Sequence, residues 1–314
     1  MVAAERRQRV HVPWLRLVRQ LRHRIDGPGH TWDLRDQSNI TIDNVWIEHT
    51  VVGVWGSAGV SNSHFTNMRI RDTYADGINL TNHSTGNVIS NDEARTTGDD
   101  SFALFAANDQ EGGNNENNTI TNVTALMPWR AAGIAVYGGD NNTVSNFRVA
   151  DTLCYSGLTI SSLSFGFAFP GFSLPVTTFS NYSLERDGGH FWGNQVFGAM
   201  WVFSGDKTFQ GIRVNNGSIT DPTYSGIMFQ TDYTPNGPAL SSINDIIFTN
   251  TTITGAQKSG DAYDAKSGYG IWANQLPEAG QGPAVGSATF NGLTESNNFV
   301  NIQNTTTTFT ITVN

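Results

Sequence analysis

The sequence predicts an all-β chain wound as a right-handed single-stranded parallel β-helix. Three observations lead there. Segments recur every 24 residues on a Gly-apolar step: Gly53-Val54-Trp55, Gly77-Ile78-Asn79, Ser101-Phe102-Ala103, then after an insertion Gly133-Ile134-Ala135 and Gly157-Leu158-Thr159. A fixed period of this length marks a solenoid in which each repeat is one coil. Short β-branched stretches bounded by Asn, Gly, Ser and Thr run from about residue 38 to the C-terminus, and no segment of helical length and period interrupts them. Charged residues make up 14% of 314, below the usual level of about 25%, and 33 glycines with many Asn and Thr replace them. A β-sandwich also supplies many short strands, but it does not hold a fixed register with Asn at the corners.

The elements follow in order. Residues 1–30 are set apart: in the first 24, seven arginines (Arg6, Arg7, Arg9, Arg16, Arg19, Arg22 and Arg24) stand against Glu5 alone. Such a stretch suits a basic amphipathic helix, an organellar presequence, or an irregular start outside the native repeat array, and the last is the expectation here. Arginines interrupt its apolar residues, so no secretory signal is visible. Residues 31–314 are expected to form one β-helix domain. Its strands include Ile40-Thr41-Ile42, Val45-Trp46-Ile47, Met68-Arg69-Ile70, Val88-Ile89, Thr119-Ile120, Phe147-Arg148-Val149 and Ile246-Ile247-Phe248. Eight extra residues between Ser101 and Gly133 coincide with the polar loop Asn108 to Glu116, the pattern is expected to dissolve from 164 to 206 into Phe- and Gly-rich sequence, and a further insertion spans 255–269. Insertions in solenoids gather on one face and build groove walls.

Asn-x-Ser/Thr recurs at Asn39, Asn82, Asn117, Asn122, Asn141, Asn181, Asn216, Asn250 and Asn304. They match glycosylation acceptors, but the better reading is structural: Asn turns the corner and Ser or Thr starts the next strand. Cys154 is the only cysteine, which excludes an intrachain disulfide, and its small and apolar setting reads as packing. Without the first 24 residues the chain carries 11 basic and 26 acidic residues, a balance of −15. Nucleic acids and polyuronates need the opposite sign, and no apolar run reaches the roughly 18 residues of a membrane span. A neutral partner, no nucleic acid, no membrane and a monomer are expected.

The chemistry concentrates in one place. Asp76 and Asp100 lie 24 residues apart, so stacking sets them about 4.8 Å apart on adjacent coils, with Asp99 beside them. Flanking coils carry Val52, Ala132 and Ser156 at that position, so the acidity is not a property of the repeat. Inverting glycoside hydrolysis needs a protonated carboxyl and a water-activating carboxylate roughly 6.5 to 9.5 Å apart. Crowding three carboxylates raises at least one pKa, as a general acid requires. Stacked acids also suit Ca²⁺, and Asp in turn contexts also satisfies corner backbone, so the spacing leaves these readings open.

Arg69 to Asn79, containing Thr73-Tyr74-Ala75-Asp76-Gly77, followed by Thr97-Gly98-Asp99-Asp100, resembles glycoside hydrolase family 87, the α-1,3-glucanases and mycodextranases. Val45-Trp46-Ile47-Glu48-His49-Thr50 with Gly53-Val54-Trp55 is similar to the segment ahead of that family's first catalytic Asp, and the specific likeness covers residues 43–105. The resemblance implies a pectin-lyase-like solenoid, an extracellular location and inverting endo-hydrolysis of α-1,3-glucan or nigeran without a required cofactor or catalytic metal, a structural Ca²⁺ being compatible. It implies Asp99 as acid, with Asp76 and Asp100 activating water. This chain departs at Ser101, where the family usually has Gly or a similar small residue, and at its Arg-rich start, where the family has further coils, so some N-terminal coils are expected to be lacking.

The 24-residue register aligns Tyr74 with Gly98 and Thr73 with Thr97, places Trp129 and Arg130 after the insertion, and puts Trp55 and Asn79 in one column. Trp55, Tyr74, Asn79, Trp129, Arg130 and His49 are the candidate sugar contacts, since aromatic faces stack on sugars and Asn, His and Arg bond hydroxyls. Core packing is the alternative for each aromatic, and His49 and His190 read equally as structural histidines. Two rival functions remain: a Ca²⁺-dependent polysaccharide lyase with Arg71, Arg95 or Arg130 as base, and a noncatalytic carbohydrate-binding β-helix. Polygalacturonases share a similar Asp triad, but their His-Gly and Arg-x-Lys motifs do not follow the Asp pair here.

Overall fold

The structure is a computed structural model that describes residues 9–18, 29–110, 112–274 and 281–314. Two long sheets of almost wholly parallel strands run along the molecule, with strands added largely in chain order. The second sheet shows the winding most simply, as Trp32–Arg35, Val54–Ala58, Ile78–Thr81, Phe102–Phe105, Ile134–Tyr137, Leu158–Ser161 and Met200–Ser204 each pair with the next. In the first sheet Thr41–Glu48, Thr119–Leu126, Thr143–Ala150 and Thr177–Glu185 bend at an Asn, and a narrow ladder of bridges through Ser61, Thr85, Glu116 and Asp140 closes the coil. This is the parallel β-helix expected from the period. Among the described residues there is no α-helix, and hence none long and apolar enough to cross a membrane.

The 24-residue repeat is the register itself. Val54 pairs with Ile78, Ile78 with Phe102, Phe102 with Ile134 and Ile134 with Leu158, and all five side chains are fully buried. Each like-on-like contact along this spine removes aliphatic or aromatic surface from water, about 1.5–3 kcal/mol per side chain. Asn makes the corners because its side chain tolerates left-handed backbone. Of the ten Asn-x-Ser/Thr triplets, Asn79-Leu80-Thr81 included, eight place their Asn at φ between 47° and 58°, with Asn79 and Asn304 the exceptions.

Two expectations change. The first thirty residues are not wholly irregular, because Arg9–Val18 forms a strand in parallel register with Thr41–Glu48, Leu15 opposite Val45 and Leu17 opposite Ile47. Its apolar alternation, masked in the sequence by arginines, matches that of its neighbour. The pattern also does not dissolve between 164 and 206. Thr177–Glu185 and Met200–Ser204 keep the register, and the extra residues form two separate insertions, after Ser161 and after Glu185.

Side-chain ladders hold coils together inside the array. The amide oxygens of Asn87, Asn118 and Asn142 accept from the backbone N–H of Ser63, Asn87 and Asn118, one coil below each. Asp92 does the same for Met68 N at 2.6 Å, yet its Oδ2 is buried without a hydrogen-bond partner. Burial holds its carboxyl well above the usual range, and burial likewise lifts Asp187 to about 7. A raised native pKa means the folded chain binds the proton more tightly than the unfolded one. Stability from these groups is therefore complete below about pH 4 and is lost as pH rises through their native values. Asp92→Asn, which keeps the acceptor and removes the buried charge, is expected to stabilise the fold at pH 8 by about 1 kcal/mol and to flatten the fall of Tm between pH 5 and 8. Thermal unfolding of the two proteins across that range checks both.

Candidate active site

Asp76 and Asp100 stand just ahead of the second-sheet strands Ile78–Thr81 and Phe102–Phe105, where the chain turns from one sheet to the other. The Gly77 N–H donates to the Asp100 carbonyl at 3.1 Å, so the two aspartates occupy equivalent places on successive coils. Asp76 is 8% exposed, Asp100 is 5% exposed, and the Asp99 side chain, at 29%, opens toward solvent. A carboxylate oxygen from each lies within 4.8 Å of the others. Three acids therefore meet at one corner, as the stacking argument requires.

Donors surround them. The Asn79 amide donates to Asp76 Oδ1 at 3.0 Å, the Ala132 backbone N–H to Asp100 Oδ1 at 2.9 Å, and Arg130 Nη1 to Asp99 Oδ2 at 3.1 Å. Burial, then the charges of Asp99 and Asp76, pushes the Asp100 carboxyl well above the usual range, although the Ala132 N–H and the Tyr137 hydroxyl partly oppose the shift. The resemblance implies Asp99 as the acid, a role that a raised pKa serves. In the structure burial lifts Asp100, while Asp99 sits against a guanidinium. The oxygen cluster suits a hard cation by donor type, but Asn79, Arg130 and Tyr137 each direct a hydrogen into it, an arrangement made for carboxylates that hold protons and water.

The other candidates divide. Trp55 lies beside Asn79 in register and its ring is 5.9 Å from that of His30. Trp129 is 41% exposed and crosses Gly98, where a Cβ would be 2.4 Å from its ring and 2.5 Å from the Tyr74 carbonyl. Gly98 is thus the thin point where the Trp129 ring and the Tyr74 backbone both close on the residue preceding Asp99. His49 takes the corner equivalent to Asp72 and Thr96, at φ 54°, and no described contact joins it to the trio. Of the three arginines considered as a lyase base only Arg130 reaches the aspartates; Arg71 pairs with Glu48 at 2.6 Å and lines, with Arg95 and Trp46, a separate cavity of about 310 Å³ on the first sheet.

Sequence reasoning missed Tyr137 and Tyr155. Tyr137 follows Phe105 in register, and its hydroxyl bonds Asp100. Tyr155 precedes Ser156-Gly157 as Asp99 precedes Asp100-Ser101, and its ring packs 3.8 Å from that of Phe197. Burial raises both phenols well above their usual range, so they stay protonated donors. Counting register outward from the Gly-apolar step would have found both.

The model of the α-1,3-glucanase catalytic domain D2 matches residues 14–313. The catalytic domain of a GH87 α-1,3-glucanase, solved as an aspartate-to-alanine variant with tetrasaccharides, is 40% identical over 92% of this chain and 51% of that one, at a TM-score of 0.85. The same glucanase domain with nigerose gives 40% identity, the same coverage and a TM-score of 0.83. The catalytic unit of a thermostable GH87 α-1,3-glucanase from Streptomyces thermodiastaticus strain HF3-3, 22% identical over 92% of this chain and 50% of that one at a TM-score of 0.71, shares the fold. No curated protein matches the chain. The chain spans about half the length of these solved structures. With the family model matching nearly its whole length, the chain belongs to the α-1,3-glucanase catalytic domain D2 family, in glycoside hydrolase family 87.

Proposed function

We propose that this chain hydrolyses α-1,3-glucosidic bonds within α-glucan, α-1,3-glucan or nigeran, with inversion of the anomeric centre. The observation that carries this is the aspartate trio. The 40%-identical glucanase domain has been solved with tetrasaccharides or nigerose after alanine replacement of three aspartates spaced 23 and then one residue apart, the spacing of Asp76, Asp99 and Asp100. Asp99, the solvent-facing member, donates its proton to the leaving oxygen. Asp76 and Asp100 hold the attacking water. An oxygen separation of at most 4.8 Å suits one water bonded to both, since each such bond spans about 2.7–2.8 Å. Arg130 holds Asp99 and Tyr137 holds Asp100; with an oxygen of each acid within 4.8 Å of the others, closer than the roughly 6.5–9.5 Å of an inverting pair, inversion requires the solvent-facing Asp99 side chain to turn outward as the sugar enters. Trp129 and Tyr74 flank the cleaved bond with apolar faces, the neutral binding surface that the acidic body favours. We place the enzyme outside the cell, on a polysaccharide substrate.

Proton NMR of the first products from a soluble α-1,3-gluco-oligosaccharide tests the reading. Inversion releases the new reducing end as the β anomer before mutarotation. An α anomer would identify a covalent intermediate and overturn the water-holding role of Asp76 and Asp100. Absence of cleavage of both α-1,3-glucan and nigeran by the folded chain would reject the activity.

A further inference from the structure

Two insertions meet beyond the trio. The first carries the antiparallel pair Gly189–His190 with Val196–Phe197, and the second carries the turn Asp264–Lys266. Tyr263 donates its hydroxyl to Asn194 Oδ1 and Lys266 Nζ donates to the Asn194 carbonyl, both at 3.1 Å, which fastens one insertion to the other. At this junction the exposed His190 ring stacks on Tyr263, centroids 4.4 Å apart and planes 28° apart. His190 Nδ1 lies 2.8 Å from the hydroxyl of buried Tyr224, which lies 2.8 Å from Asp261 Oδ2.

Counting protons fixes the histidine. Asp261 accepts from the Ser259 hydroxyl at 2.7 Å and the Tyr263 N–H at 2.8 Å, and the Ser259 bond is the foremost cause holding its carboxyl below the usual range. An ionised Asp261 can only accept, so the single Tyr224 proton points to it. The Tyr224 oxygen then offers His190 lone pairs only, and Nδ1 must carry the hydrogen. In the neutral ring Nε2 is therefore a bare acceptor on an exposed edge. The opposite arrangement, with Tyr224 donating to Nδ1, would leave two acceptors facing each other at Asp261.

The junction lies next to the acid. Gly189 packs on the Cys154 backbone, where a Cβ would come within 2.5 Å of Cys154 Cα. The Cys154 thiol donates to the carbonyls of Trp129 and Arg130 at 3.2 and 3.3 Å, and Arg130 holds Asp99. The Phe191 ring stands 6.2 Å from that of Tyr155. Through Gly189, Cys154 and Arg130 the His190 insertion is joined to the residue that holds Asp99.

We propose that His190 Nε2 accepts a hydrogen bond from a glucosyl hydroxyl in a sugar subsite away from the cleaved bond, with Tyr224 and Asp261 as positioning residues that set the tautomer; this rests on the α-glucan reading above. The test pairs a spectrum with binding. In ¹⁵N-labelled protein the His190 ring is expected as the Nδ1–H tautomer, and Tyr224→Phe, which keeps the ring and removes the relay, is expected to lose it. His190→Ala and Tyr224→Phe should weaken calorimetric binding of a long α-1,3-gluco-oligosaccharide, and raise its KM, about 5- to 10-fold with kcat unchanged. Nigerose should bind as before, and His190→Gln, which keeps an acceptor, should recover part of the loss. An Nε2–H tautomer in the unaltered protein, or unchanged oligosaccharide binding in His190→Ala, would overturn the proposal. The spectrum and the calorimetry do not need turnover, so failure of the hydrolytic reading would show separately.

Discussion

Asp99→Asn is expected to lower kcat/KM on α-1,3-glucan by about 10²- to 10⁴-fold, the range that a positioned general acid supplies. The loss should depend on the leaving group. On nigerosyl fluoride, whose fluoride departs without a proton, Asp99→Asn should retain most of its turnover, whereas Asp100→Asn and Asp76→Asn should fail on both substrates because they disturb the water. This comparison also settles which carboxyl gives the proton. Burial raises the Asp100 pKa well above the usual range, but Asp100 is nearly sealed and Asp99 faces the solvent. If Asp100 were the donor, the fluoride would rescue Asp100→Asn and leave Asp99→Asn inactive. Coupled carboxyls share their protons, so the pH profile alone would assign neither.

Gly77→Ala is the second large effect. A Cβ at Gly77 would lie 2.4 Å from the Ser101 carbonyl oxygen of the next coil. The coils cannot spread locally, because Gly77 N donates to the Asp100 carbonyl and Ile78 N to the Ser101 carbonyl, at 3.1 and 3.0 Å. The expected cost is about 1–3 kcal/mol, together with a loss of activity at temperatures where the protein is still folded, since the strain falls between Asp76 and Asp100. Gly112→Ala is the control: an added Cβ there meets nothing within 4 Å, and neither Tm nor turnover should change. Calorimetry and hydrolysis assays on both variants would reveal whether the glycine is only a sequence habit of the repeat.

Much of this was legible because a solenoid turns sequence distance into space. The 24-residue offset between Asp76 and Asp100 gave their stacking, and the same offset gave the Trp55–Asn79 column. What the offset could not carry lay where the chain leaves the coil. Register placed Arg130 beyond the insertion as a candidate sugar contact, but did not show its ion pair with Asp99. The His190–Tyr224–Asp261 chain joins three separate segments. The strand Arg9–Val18 escaped because its arginines outweighed its apolar alternation, and the raised carboxyl pKa falls on Asp100 because burial, which spacing does not report, exceeds the effect of neighbouring charge.

The exposed asparagine corners have a direction. Asn122 donates to Asn91, Asn181 to Asn146 and Asn250 to Asn216, always from the later coil to the earlier, and the lower partner of Asn67 is already an acid, Asp43. The earlier partner needs only an oxygen; the later one must keep its amide hydrogens. Asn216→Asp would therefore keep the bond, whereas Asn250→Asp would set two oxygens against each other. The ladder tolerates an acid at one end of each bond and comes apart from the other.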